Sequence, residues 1–314
     1  MSNARTPAPD SLILHHYDFS PFSEKIRLAL GLKKLHWYSV VVPSVMPKPD
    51  LVALTGGYRH VPVMQIGADV FCDTRTIMRE LDRRYPSPLL ADPRVRGIAA
   101  AIEAWAERDL FWPIARYVTG VNAETVDPQL HIDRAALRGK PPPSIEQVRT
   151  AARRNLVQMR AELPIVEQML SHAGAWLLAS GPGKADLAVY HGLWFLSAFA
   201  IDCSDELEAY PMTRAWMERV AAIGHGAREG MPASEALAVA ARGAPQALRA
   251  SVNDDSIPRL GREVAIRPDE YTTAAVAGKL VQVDQDDVAI LRRDPARGDV
   301  VVHFPRIGYS IKEL

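Results

Sequence analysis

The chain has 314 residues, 24% of them charged and 48% apolar, and its 37 Lys plus Arg equal its 37 Asp plus Glu. That balance leaves no net field to draw it to nucleic acid or to an anionic membrane, and no apolar run reaches the ~18 residues of a spanning helix. The length exceeds one small core and predicts two or three domains. Met1 to Asp10 is polar and lacks the apolar core of a signal peptide. Two cysteines, Cys72 and Cys203, make no disulfide scaffold, so a cytoplasmic setting is the expectation. The usage of Ala, Arg and Pro suggests a GC-rich bacterial genome.

Residues 11–86 alternate in type. Leu12–His15 reads as a strand, Pro21–Leu32 as a helix and Trp37–Val42 as a second strand. Pro49–Leu54 reads as a short helical turn. Val61–Ile66 and Val70–Phe71 read as paired strands turning at Gly67-Ala68-Asp69. Thr74–Tyr85 follows as an amphipathic helix. This order suits a small α/β sandwich with a mixed sheet. Pro86-Ser87-Pro88 and Asp92-Pro93 make a stiff linker.

From 94 to 242 the pattern is helical. Arg94–Tyr117 is one long helix that Pro113 should kink or shorten, and 119–143 is loop-rich. Ser144–His172 is a second long helix, bent or broken near Pro164. Gly181-Pro182-Gly183-Lys184-Ala185-Asp186 opens a helix running to Phe199. Shorter helices follow Pro211 and cover Ser234–Ala241. Residues 257–314 change to short β-like runs with a strong turn signal at 294–298, and read as a small appended β-rich domain of about four strands.

Three places can carry chemistry. Ser20 is a good N-cap with Pro21 at the first helical position, so its hydroxyl stands among unpaired N–H groups at the positive end of a helix. An anion such as a thiolate is favoured there; plain capping is the alternative. Pro62 opens an apolar strand after His60-Val61. It does so either as an ordinary trans edge residue or through a cis bond that leaves the Val61 N–H and C=O free to pair with an extended peptide. Asp73-Thr74 caps the next helix, or clamps a ligand carrying both an ammonium and a carboxylate.

Ser20-Pro21-Phe22-Ser23 at a strand-to-helix turn, Val61-Pro62 opening a hairpin, Asp73-Thr74 opening a helix, and Gly181 to Asp186 together resemble the cytosolic glutathione transferases, in particular the omega-like and serine-type bacterial members. The resemblance covers residues 11 to about 242. It implies a thioredoxin-like α/β glutathione-binding domain at 11–86 and an all-α bundle at 94–242, with 257–314 as an addition. It further implies glutathione as co-substrate, no metal, and a homodimer. In it Ser20 matches the catalytic Ser or Cys position, and Val61 with Pro62 matches the backbone that pairs with the cysteinyl part. Asp73 and Thr74 match the pair that grips the γ-glutamyl end. Lys48 lies where an omega-class Lys meets the glycine carboxylate. Tyr17 is the alternative thiolate-bonding hydroxyl, as in tyrosine-type classes.

The departures are specific. Ser20 stands where omega-like enzymes have Cys, which disfavours mixed-disulfide chemistry. Asp73 stands for the usual Glu, and Gly183 for the usual Ser or Thr of the helical capping box. Cys72 reads as a small buried residue. His15, His16 and His60 lack partners at metal-ligand spacing. Phe22, Trp105 and Trp112 are candidates to wall an apolar co-substrate pocket, against ordinary core packing. Arg108 and Arg116 either receive an anionic co-substrate or belong to a solvated face. The leading expectation is conjugation of a glutathione thiolate, held by Ser20, to an apolar electrophile. The alternatives are another glutathione-dependent reaction (isomerase, dehalogenase or disulfide reductase) and a non-catalytic binding or scaffold role.

Overall fold

The computed structural model describes residues 7–178, 181–246, 248–249, 251–252, 254, 256–271, 275–294 and 298–314. The chain opens β1 (Ile13–His16), α1 (Pro21–Leu32), β2 (His36–Val41), α2 (Pro49–Thr55), β3 (Val63–Ile66), β4 (Asp69–Cys72) and α3 (Thr74–Arg84). β1 pairs with β2 in parallel and with β3 antiparallel, and β3 pairs antiparallel with β4. This is the thioredoxin-like arrangement the sequence implied.

The helical half contains α4 (Arg96–Trp105), α5 (Phe111–Val121), α6 (Pro128–Leu137), α7 (Ile145–Ala173), α8 (Lys184–Trp194) and α9 (Pro211–Ala221). The interruption expected near Pro113 falls just upstream, as a π turn over Ala106–Leu110. Pro113 has no N–H to return to the carbonyl four residues back, and the π register absorbs that gap. Helix α7 runs unbroken through Pro164, contrary to the expected break. It begins with a full capping box between Ser144 and Gln147. At its crossing with α5, a Cβ on Gly120 would lie 2.4 Å from the Ala152 Cβ, so only glycine allows this approach.

The stretch 119–143, read as loop, contains α6. Asp127 accepts from the Gln129 N–H and Pro128 takes the first helical position. That start signal is legible, and the weight given to Pro141-Pro142-Pro143 hid it. Asp186 makes its half of the capping box, accepting from the Gly183 N–H at 3.0 Å, and also holds the Trp216 indole at 2.9 Å.

The added C-terminal strands continue the sheet of the first half. After β5 (Ala227–Gly230) and α10 (Ala233–Arg242) come β6 (Glu263–Pro268), β7 (Val276–Val283), β8 (Asp287–Asp294), β9 (Gly298–Pro305) and β10 (Tyr309–Glu313). Among the described residues five strands follow 257, against the about four expected. They also share a single ten-stranded sheet with the first half, in the order β10-β6-β7-β8-β9-β4-β3-β1-β2-β5. The join is the parallel pairing of β4 with β9, Asp69 opposite Val301 and Phe71 opposite His303. It hides an edge that would otherwise present open N–H and C=O groups. The turn expected at 295–297 lies outside the described residues. One apolar cluster joins α1, α3 and the helical bundle, with Trp37 and Trp216 fully buried in it. A second runs along the other face of the sheet, from Ile13 and Val63 to Val302 and Phe304.

Candidate active site

Between β1 and α1 the chain turns at Ser20, extended at φ −76° and ψ 118°, whose hydroxyl accepts from the Ser23 N–H at 3.2 Å. Ser20 is 2% exposed. It nonetheless forms part of the wall of a cavity of about 510 Å³ between the two halves of the molecule. Its hydroxyl hydrogen and the first N–H groups of α1 face an anion-friendly helix end. Tyr17 lies on the same wall, and its hydroxyl oxygen accepts from Arg134 Nη2 at 3.0 Å.

The Val61–Pro62 peptide is cis. Among the described residues, neither backbone polar group of Val61 has a hydrogen-bond partner, and Val61 lines the cavity. Lys48 lines it too, 3% exposed, donating to the Arg59 carbonyl at 3.1 Å. Burial, with the charges of Arg134 and Arg59 beside it, lowers the Lys48 ammonium to about 7. Ser20, Tyr17, Lys48 and Val61 are therefore gathered in one place.

Asp73 and Thr74 are not on that wall. Asp73 caps α3, accepting from the Arg75 N–H at 2.9 Å, with φ 76° and ψ 140°. Such a backbone is nearly restricted to glycine and costs on the order of 1–3 kcal/mol, so the surroundings must enforce it. Part of that enforcement comes from the last strand: the Tyr309 hydroxyl donates to Asp73 Oδ2 at 3.3 Å and lies 3.2 Å from the Tyr58 hydroxyl. Thr74 is buried and accepts from Lys25 Nζ at 3.3 Å.

Lys25, fully buried on α1, pairs with Glu103 and Glu107 across the two halves, each at 2.6 Å. Burial pushes the Glu103 carboxyl up, but Lys25 and Lys184 reverse this and bring it to about 2. Burial raises the Glu107 carboxyl. This network pins α1 to α4 and the π turn, and so fixes the cleft.

Of the expected co-substrate residues, Phe22, Trp112 and Arg116 line the cavity. Trp105 does not; its indole donates to Glu162 at 2.9 Å, within the bundle. Arg108 does not either; it is 71% exposed and pairs with Asp109, as a solvated-face residue does. Cys72 is fully buried in β4, where burial pushes its thiol well up. His60 and His131 line the cavity with unpartnered Nε2 atoms. Burial lowers both, His60 to about 3. Among the described residues no group of three metal-ligating side chains gathers, and no helix is long and apolar enough to cross a membrane.

Sequence reasoning missed Arg134, Arg59 and Tyr271. Arg134 follows from α6. Arg59 and Arg134 both pair with Asp133, a contact between α6 and the loop before Val61 that no local pattern announces. Tyr271, between β6 and β7, lies tilted against His60 with ring centroids 4.7 Å apart and adds a C-terminal residue to the cavity wall.

Comparison with known proteins agrees with this architecture. Residues 14–89 match the glutathione S-transferase N-terminal domain, and residues 126–223 match the glutathione S-transferase C-terminal domain. A crystal structure of a GST-like protein from Pseudomonas syringae is 35% identical, with a TM-score of 0.79, over 97% of this chain and 100% of that one. FtsZ-localized protein A of Caulobacter vibrioides is 28% identical over 100 residues, a match spanning 30% of this chain and less than half, 44%, of that protein. FzlA from C. crescentus shares the fold, at 23% identity and a TM-score of 0.52 over 67% of this chain and 87% of that chain. With both half-domains matched in order and a relative aligned along nearly its whole length, the chain belongs to the glutathione S-transferase family.

Proposed function

We propose that the chain binds glutathione in the interdomain cavity and transfers its sulfur to an electrophile. The observation that carries the reading is the placing of Ser20 at the start of α1, on the cavity wall beside the unpaired backbone of Val61. In this reading Val61 pairs with the cysteinyl backbone and the sulfur lies at Ser20. Its hydroxyl hydrogen and the helix N–H groups stabilise a thiolate without removing a proton from it. A hydrogen bond to such a charge contributes about 1.5–3 kcal/mol, and the rest of the rate comes from holding sulfur and electrophile together. Lys48 and Arg134, both on the cavity wall, would receive the glycine carboxylate. Asp73 and Thr74 would receive the γ-glutamyl end. Homodimerisation, a cytoplasmic setting and the absence of a metal belong to the same proposal.

A second reading has its own observation. Asp73 is already engaged by Tyr309, and neither Asp73 nor Thr74 opens onto the cavity. A site closed at its γ-glutamyl end fits a non-catalytic binding protein, and a partial relative is named for localisation with FtsZ. Glutathione calorimetry on wild type and Ser20→Ala, with thiol ionisation followed by ultraviolet absorbance, separates the two. Binding with a thiolate near neutral pH that Ser20→Ala loses supports catalysis. No binding at millimolar glutathione supports the second reading.

A further inference from the structure

The chain as a whole is neutral, with 37 basic and 37 acidic residues. The cavity is not. Among the described residues six basic side chains line it, Lys48, Arg59, Arg116, Arg134, Arg138 and Lys140, and no Asp or Glu does. Asp133, behind the wall, pairs with Arg59 and Arg134. Among the described residues, Arg116, Arg138 and Lys140 have no carboxylate within ion-pair distance.

These three sit away from Lys48, on the wall built by α5 and the end of α6. Arg116 follows Trp112 by four residues, one turn along the same face of α5. The Arg138 guanidinium lies 4.9 Å over the Trp112 ring and donates to the Arg134 carbonyl at 2.9 Å. Among the described residues Arg116 has no hydrogen-bond partner. Arg116 is exposed on the wall, and partial desolvation with the charges of Arg138 and Arg154 holds its pKa below the ordinary arginine value. The rest of this wall is apolar, with Phe22, Phe111, Phe195, Leu130 and Val148. Like charges gathered beside an aromatic wall repel one another unless an anion joins them.

We infer that the second substrate of this cavity is an aromatic or otherwise apolar compound carrying a carboxylate or a similar anionic group, bound by Arg116 and Arg138 against Trp112. This rests on the reading of the cavity as the site of glutathione transfer, and it names the class of electrophile.

The test compares 4-chloro-3-nitrobenzoate with 4-chloro-3-nitrobenzamide, one ring with and without the charge, by calorimetry on the full chain without glutathione. The acid is expected to bind at least about tenfold more tightly than the amide. Raising salt from about 0.05 to about 0.5 M weakens the acid alone, because the arginines face solvent-filled space. In the Arg116→Gln, Arg138→Gln double variant the advantage falls to within about threefold. Unchanged amide binding shows that the cavity is intact. Equal affinity for acid and amide on wild type, no binding of either, or an advantage that survives the double variant overturns the inference. So does displacement of the acid by S-methylglutathione, since the cations would then serve glutathione. The comparison needs no glutathione, so failure of the Ser20 reading shows separately, in the glutathione titrations of Ser20→Ala.

Discussion

The Tyr309 hydroxyl reaches Asp73 Oδ2 at 3.3 Å across 236 positions of sequence. It brings the last strand of the sheet to the cap of α3, where the family grips one end of its ligand. The C-terminal strands thus touch the cap of α3 directly. Tyr271, between β6 and β7, meets His60 on the cavity wall, their ring centroids 4.7 Å apart.

Tyr309→Phe removes one donor from Asp73 and strands the buried Tyr58 hydroxyl. A buried polar group left alone costs about 1–3 kcal/mol, and urea unfolding should show a loss of that order. Adding Tyr58→Phe should cost less than its own single-variant loss, because no hydroxyl is then left unpaired. Additive losses would mean that the two hydroxyls do not communicate.

Ser20→Cys places a thiol at the N-terminus of α1. The ordinary thiol pKa of about 8.5 should fall there, as at other helix N-termini. Burial pushes both native thiols, Cys72 and Cys203, upward, so thiolate absorbance below that value reports the introduced group. A midpoint at or above about 8.5 would show that the helix end does not stabilise sulfur anions, and would weaken the case for Ser20.

Lys48 titrates at about 7 in the folded chain, against an ordinary value of 10.5. Between those values the unfolded chain holds the extra proton. The contribution of this group to stability is therefore least favourable below pH 7 and improves as pH rises toward the unfolded value. Lys48→Met should stabilise the fold at pH 6 and flatten the rise in unfolding free energy between pH 7 and 10, read from denaturant curves. A variant less stable than wild type at pH 6 would show that the ammonium is better solvated than its burial implies.

Lys25→Met removes the cation that both Glu103 and Glu107 hold at 2.6 Å, leaving Arg75 at 3.7–3.9 Å from the pair and Lys184 on Glu103. Breaking a buried pair in this way costs about 3–5 kcal/mol, and the loss should appear as a lower urea midpoint. Glu103 has a depressed carboxyl, so its contribution is present above 4.5 and lost as pH falls through about 2. The destabilisation by Lys25→Met should accordingly shrink in acid. A loss below about 1 kcal/mol at neutral pH would place the network among weak surface pairs.

Much of the site was legible because it rests on local rules. Ser20 with Pro21 spells a helix start, and Asp73 with Thr74 another. Val61-Pro62 and Gly67-Ala68-Asp69 mark a hairpin, which the structure contains as β3 and β4. Each signal depends on a few neighbouring residues and on the backbone geometry they permit. The helix α6 was equally local, in Asp127-Pro128, and was obscured by the prolines that follow it.

The sequence by itself thus determined most elements of the two matched halves, α6 excepted, the position of Ser20 at a helix N-terminus, and the family to which the chain belongs. Only the tertiary structure decided what surrounds Ser20. The pairing of β4 with β9, the hold of Tyr309 on Asp73, and the gathering of six basic side chains around one cavity each join residues far apart in the chain. Strand alternation says which face a side chain takes but not which edge the strand will join. Charge counted along the chain sums to zero whether or not folding collects one sign in a single place.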